Sequence, residues 1–319
     1  MDTPVLDEKT SWFLKFLRDA GRPDISEVPV EEARANDARL QAMFCPAKPE
    51  AEVAELVIPA GPKNNLRLSI VRPCGIQEAL PAVMFFHGGG WILGDSETYD
   101  RFMREIAVGS KAAVVFVEYS RAPEERYPVP LEECYAATQW IAEHGHELNI
   151  ASRRIAVLGD SAGGNMAAAV ALLAKQRGGP NISAQALIYP KTSATFNTPS
   201  FEQFATGYFI TSQTSRWFWR QYAPYNAADR EPAACPLEAS IDELKGLPPA
   251  MIIIAECDVL RDEGERYARK LVQAEVPVTC TRYLGVVHGF LCINALAETP
   301  AARSAMGQIT AMLREALHG

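Results

Sequence analysis

The chain contains no apolar run approaching the roughly 18–20 residues needed to cross a bilayer, and no run of lysine and arginine. The first absence leaves membrane insertion without a segment to carry it. The second, with a formal net charge of −8, argues against a nucleic-acid partner, which leaves a basic patch in a sequence. No C-x-x-C pair occurs: Cys45, Cys74, Cys134, Cys235, Cys257, Cys280 and Cys292 are scattered and odd in number. That pattern fits free thiols in a reducing compartment better than a disulfide framework or a zinc site. The opening segment MDTPVLDEKTSWFLKFLRDAG has early acids and no long apolar core, so it does not read as a secretory signal. A cytoplasmic protein is the expectation.

What is present is a globular composition, 48% hydrophobic and 22% charged over 319 residues. Residues 1–50 are helical in character: Trp12, Phe13, Phe16 and Leu17 recur at helical spacing, and 30–44 is rich in Ala, Glu and Arg. AELVI and LRLSIVR read as two strands joined by the turn-forming GPKNN. Beyond them, apolar runs at 81–86, 112–119, 154–159, 184–190, 250–256 and 278–283 alternate with helix candidates near 96–109, 130–144, 161–177, 261–275 and 299–317. Continuous apolar strands alternating with helices predict an α/β protein with a mostly parallel sheet covered on both faces. The alternation spans 81–319 as one sheet, so one main domain is expected.

Residues 191–247 break this rhythm. They contain no clear strand but hold Phe196, Phe201, Phe204, Tyr208, Phe209, Trp217, Phe218, Trp219, Tyr222 and Tyr225. Such an insertion between two strands is either a lid over the sheet's ligand edge or an ordinary packing subdomain.

The chemistry centres on GDSAG at 159–163, a G-x-S-x-G placed after the strand RIAVL and at the start of a helix. A sharp strand-to-helix turn there holds the Ser161 hydroxyl out above the sheet in strained geometry, and side chains in place of the flanking glycines would collide with neighbouring elements. The helix N-terminus beneath it favours developing negative charge. A second glycine cluster, HGGGW at 87–91, follows the first parallel strand. Backbone N–H groups from Gly88, Gly89 and Gly90, with that of Ala162, are candidates for an oxyanion hole. No Gly-Lys-Ser or G-x-G-x-x-G completes a nucleotide motif, which weakens a phosphate-loop reading.

A serine nucleophile needs a base and an orienting carboxylate. Of five histidines, His87 belongs to the glycine loop, while His144, His146 and His318 are placed on solvated helix ends. His288, in a Gly-flanked loop after the last strand, remains as the base. Asp258 lies at the carboxyl edge of the strand before last. Asp262 and Glu263 fall inside the next helix, where a solvated face is expected, and Asp160 is taken as structural because it cannot easily reach a histidine from beside the serine. The order Ser161, Asp258, His288 places each group at a strand's carboxyl end.

HGGGW, VEYSRAPEERYPVPLEECYAATQWI, GDSAGGNMAA, LPPAMIIIAECDVLRDEG and VHGF together resemble the hormone-sensitive-lipase-like carboxylesterases of the α/β-hydrolases, over roughly residues 50–317. The resemblance implies an eight-stranded sheet with a helical cap. It divides the chain into a cap segment at 1–50, a catalytic domain at 51–190 and 248–319, and a cap insertion at 191–247. It also implies a Ser161–His288–Asp258 triad, oxyanion donors among the 88–90 glycines (foremost Gly89 and Gly90) and Ala162, and short- to medium-chain acyl esters as small-molecule substrates. Two departures stand out. Asp258-Val259 replaces the family's Asp-Pro, which leaves the acid's backbone less restrained. Tyr119-Ser120-Arg121-Ala122-Pro123-Glu124 replaces Tyr-Arg-Leu-Ala-Pro-Glu.

The reaction so implied needs no metal or organic cofactor. Amidase or lactonase chemistry would use the same groups, and emulsified lipids fit poorly with the absence of an export signal. The competing reading is a ligand-binding protein on a hydrolase scaffold, against which stand the three triad candidates and both glycine loops. An edge strand near VTCTRY could also pair across a two-fold axis to form a homodimer.

Overall fold

The computed structural model describes residues 4–223 and 228–319; Tyr225 lies outside them. The eight strands are β1 (Ala51–Ile58), β2 (Leu66–Pro73), β3 (Leu80–Phe86), β4 (Ala113–Val117), β5 (Ile150–Asp160), β6 (Ala184–Ile188), β7 (Ala250–Cys257) and β8 (Val278–Val287). They form one sheet in the order β1-β2-β4-β3-β5-β6-β7-β8. The β1–β2 and β2–β4 pairs are antiparallel and every pair from β4 to β8 is parallel.

The helices are α1 (Glu8–Asp19), α2 (Val30–Ala42), α3 (Asp100–Ser110), α4 (Val129–His144), α5 (Ala162–Arg177), α6 (Pro199–Gln203), α7 (Ser212–Tyr222), α8 (Ile241–Leu244), α9 (Arg261–Gln273) and α10 (Pro300–His318). Alternation along each strand sends side chains to opposite faces. In β4, Ala113, Val115 and Val117 join a core shared with α4, α5 and α9, while Val114 and Phe116 join one shared with α3 and α10. Both faces are therefore buried, which is why β3 and β4 carry no polar residue. Among the described residues, no helix is long and apolar enough to cross a membrane.

Strand and helix placements follow the sequence expectation, with one extension that matters. β8 was expected to end near residue 283 and instead runs to Val287. Its pairing with β7 skips from Ala255↔Tyr283 to Cys257↔Val287. That irregularity re-aims the chain and delivers residue 288 to the carboxyl edge of the sheet. Residues 191–247 add no strand among their described residues; α7 packs, with α1 and α2, over the same edge, while α8 lies at the opposite edge, where its Asp242 and Glu243 carbonyl oxygens accept from Lys175 in the last turn of α5.

The helix after β7 required a correction. Glu263, expected on a solvated face, is 2% exposed and its carboxylate accepts from Lys191 Nζ at 2.8 Å and from the Thr192 and Ser193 N–H groups at 2.5 and 3.1 Å. Asp262 is also engaged, accepting from the Ser200 N–H at 2.8 Å. These acids anchor the start of the 191–247 segment to α9. The partners lie some seventy residues away, so local sequence could not reveal the burial.

Candidate active site

β5 meets α5 at Ser161, whose φ of 56° and ψ of −117° lie where non-glycine residues are strained. Holding a residue there costs on the order of 1–3 kcal/mol, so the surroundings must over-determine it. They do so by close approach. A Cβ on Gly159 would sit 2.0 Å from the Gly163 carbonyl oxygen, and one on Gly163 only 1.9 Å from that of Phe86. The glycines let the helix start against the ends of β5 and β3, and this lifts Ser161 above the sheet.

His288 lies just beyond β8 and Asp258 just beyond β7. His288 Nδ1 is 2.7 Å from Asp258 Oδ2, and its Nε2 is 2.9 Å from Ser161 Oγ. A carboxylate only accepts, so Nδ1 carries the proton and Nε2 is left to accept from the serine hydroxyl. Asp258 and His288 are 1% and 6% exposed, which shields the row from water. Where a proline would have restrained Asp258, the Leu260 N–H instead donates to its Oδ1 at 2.9 Å. The side chain is fixed by a turn rather than by a ring.

The glycine loop divides. The Gly88 N–H, one of the expected donors, faces inward: Asp160 Oδ1 accepts from it at 2.8 Å and the Tyr99 hydroxyl lies 3.1 Å away. It is not available to an oxyanion. The N–H groups of Gly89 and Gly90 bond to no acceptor among the described residues, and Ala162 opens α5 without a capping side chain. These three residues line one cavity with Ser161. Positive φ at Gly89 (+82°) and Gly90 (+63°) turns the loop. A Cβ on Gly90 would fall 2.2 Å from Phe218 Cγ on α7, so the 191–247 segment closes directly onto the loop.

Asp160 is the structural residue expected, and its role is now specific. It accepts from the Gly88 N–H and, through Oδ2, from the Tyr99 hydroxyl at 3.1 Å. Burial pushes its carboxyl up to about 6, against the opposing effects of the Tyr99 hydrogen bond, the His288 charge and the Gly88 N–H. His87 is pulled down to about 3, chiefly by burial, and is a neutral ring between Phe116 and Tyr119. The Tyr119 hydroxyl donates to the His87 carbonyl oxygen at 2.7 Å, Arg121 donates to that of Gly94 at 3.0 Å, and the Ala122 N–H to that of Trp91 at 2.9 Å. The 119–122 segment therefore clamps both sides of HGGGW. The sequence offered that segment as part of the family resemblance and as a departure from it, without a structural role, and Tyr99 carries no spacing signal to single it out.

Ser161, His288, Gly89, Gly90 and Ala162 share a cavity of about 340 Å³. Its walls come from α1, α2 and the 207–218 region, and most of its lining is apolar. A nucleophile hydrogen-bonded to a base, a base oriented by a carboxylate, and free N–H groups beside the nucleophile form the constellation that acyl transfer requires.

A sequence profile described as the alpha/beta hydrolase fold matches residues 83–292. The chain is 40% identical to Esterase LipI of Mycobacterium tuberculosis, over 86% of this chain and 85% of that protein. It is 38% identical to Carboxylesterase NlhH of the same organism, over 91% and 90%. The chain belongs to the hormone-sensitive-lipase-like branch of the α/β-hydrolases. A solved thermostable esterase from Pseudomonas putida superposes on the enzyme with a TM-score of 0.97 at 44% identity, covering 99% of both chains. At that coverage the agreement takes in the described helices of 1–50 and 191–247 as well as the sheet.

Proposed function

We propose that the protein is a serine carboxylesterase acting on short- to medium-chain acyl esters through an acyl-enzyme. The reading rests above all on the unbroken hydrogen-bonded row from Ser161 Oγ through His288 to Asp258 at the floor of an apolar cavity. Ser161 attacks the ester carbonyl as His288 Nε2 takes its proton. Asp258 keeps the ring in the required tautomer and stabilises the imidazolium. Negative charge develops on the carbonyl oxygen beside the N–H groups of Gly89, Gly90 and Ala162, and one such donor is worth about 2.7–4 kcal/mol. His288 then protonates the departing alcohol, and water activated by the same ring releases the acid. The names of the curated relatives, Esterase and Carboxylesterase, support the ester class.

Residues 1–50 and 191–247 act, on this reading, as a two-part cap over the catalytic domain at 51–190 and 248–319. Seven free thiols support a reducing, cytoplasmic setting. β8 is the last strand of the sheet, and its exposed edge supports pairing with a second copy. The test of the central reading is hydrolysis of p-nitrophenyl butyrate. Turnover is expected from the wild type and a loss of at least about 10³-fold from Ser161→Ala. A Ser161→Ala protein with unchanged turnover would rule the assignment out.

A further inference from the structure

The cavity above Ser161 has a charged corner that the hydrolytic steps do not use. Arg22 and Asp37 line it alongside apolar residues such as Leu14, Leu40 and Ile293. Among the described residues, neither side chain makes a hydrogen bond or an ion pair, with each other or with a third group. They are still close enough for each charge to act on the other. Burial pulls the Arg22 guanidinium down, and Asp37 partly offsets this. Burial pushes the Asp37 carboxyl up to about 6, opposed by the Arg22 charge and reinforced by those of Asp95 and Asp160. Both side chains keep partial exposure where they face the cavity, and a charged group there without a protein partner can take one from what enters.

Both groups sit on anchored backbone. Arg34, three residues before Asp37 on α2, donates to the carbonyl oxygens of Ile92 and Ala122 at 2.9 and 3.1 Å. Gln41, four residues after Asp37, accepts from the Asn294 N–H at 2.9 Å and donates to the Cys292 carbonyl at 3.3 Å. Residues at these spacings share a helix face, so α2 is fastened to the catalytic core on either side of Asp37. Arg22 stands two residues before Asp24, whose carboxylate accepts from the Ser26 N–H at 2.9 Å, Thr211 Oγ1 at 2.6 Å and Thr214 Oγ1 at 2.7 Å. That clasp ties the 22–28 loop to the start of α7.

A donor and an acceptor on anchored backbone that make no ion pair with each other leave room for a group that can serve both. An incoming anion would face Asp37 with Asp95 and Asp160 nearby, and an incoming cation would face Arg22 with Arg18 on the same wall. A neutral hydroxyl accepts from the guanidinium and donates to the carboxylate with no net charge to accommodate. We propose that Arg22 and Asp37 form a polar subsite that selects esters whose non-reacting arm ends in a hydroxyl. The proposal rests on the esterase reading and narrows it to a substrate class. Hydrogen bonds to charged groups give a preference of about 10–100-fold over an ester lacking the hydroxyl.

The experiment compares kcat/KM for two matched pairs: 4-hydroxybutyl acetate against pentyl acetate for the alcohol arm, and methyl 6-hydroxyhexanoate against methyl heptanoate for the acyl arm. The wild type, Arg22→Met, Asp37→Leu and the milder Arg22→Lys and Asp37→Asn are each measured. The quantity read is the hydroxyl-to-methyl ratio, which is independent of how much active protein each variant yields. In one of the two pairs the wild-type ratio is expected to exceed that of Arg22→Met and Asp37→Leu by about tenfold or more, with the milder variants between. Ratios equal across all five proteins in both pairs, with hydrolysis intact, would overturn the subsite and leave the esterase reading standing. A wild type that hydrolyses none of the four esters would overturn both.

Discussion

Replacing Gly163 by alanine adds one carbon where the structure has no room for it. The new Cβ would lie 1.9 Å from the Phe86 carbonyl oxygen and 2.6 Å from that of His87. Both atoms are backbone, so no side-chain rotation relieves the contact. Reaching ordinary van der Waals distance, 3.4 Å, requires about 1.5 Å of separation between the first turn of α5 and the end of β3. Those two ends carry Ser161 and Ala162 on one side and the glycine loop on the other. Overpacking of this kind costs about 1–3 kcal/mol of stability, whereas a 1 Å misplacement of reacting groups costs about 10²-fold in rate. The expected result is a folded protein whose melting midpoint drops by several degrees and whose kcat/KM on p-nitrophenyl butyrate falls by at least about 100-fold. Gly307→Ala is the matched control, since it sits exposed in α10 with nothing within 4 Å of the added carbon. It is expected to be neutral or stabilising by up to about 1 kcal/mol. A Gly163→Ala enzyme with near wild-type kcat/KM would refute the claim that glycine here sets the distance between nucleophile and oxyanion donors.

Two further outcomes follow from the buried acids. The Asp160 carboxyl is raised to about 6 in the folded state from an ordinary 3.8, so the native protein holds more protons than the unfolded chain between those values. Stability from this group is therefore present at pH 4 and lost as the pH climbs through 6, by about 2–3 kcal/mol in total; urea unfolding of Asp160→Asn should show a correspondingly flatter pH dependence than the wild type, and identical slopes would contradict it. Glu263→Gln leaves the buried Lys191 ammonium without its counter-charge and should cost about 3–5 kcal/mol, while Lys191→Met combined with Glu263→Leu should recover much of that loss in the same assay; a single variant as stable as the wild type would contradict the anchoring role.

The fold was legible where burial imposed one residue class. β3 and β4 are apolar throughout, and β5 to β7 carry apolar runs at 155–158, 186–188 and 250–255, because helices cover both their faces; the candidate nucleophile stood out through glycines that close packing demands. His288 and Asp258 stood out as candidates because each follows a strand and the chain has only five histidines. What escaped the sequence depended on distant partners. Glu263 resembles any acid in the first turn of a helix until Lys191 folds against it. Gly88 resembles its two neighbours until Asp160 and Tyr99 take up its N–H. Gly285, at a φ of 70°, interrupts the last strand ahead of the buried Val286 and Val287, so its reach to Val287 could not be read from the run at 278–283. Arg22 and Asp37 lie in a stretch whose charged composition reads as a solvated surface, and only the closure of α1, α2 and α7 over Ser161 makes them walls of a cavity.

The convergence of Ser161, His288 and Asp258 is tested most directly by labelling the purified protein with a fluorophosphonate and mapping the adduct by peptide mass spectrometry. One stoichiometric adduct on the Ser161 peptide is expected, abolished in Ser161→Ala and strongly slowed in His288→Ala. A wild-type protein that forms no adduct, or carries it on another residue, would contradict the nucleophile assignment and the mechanism built on it.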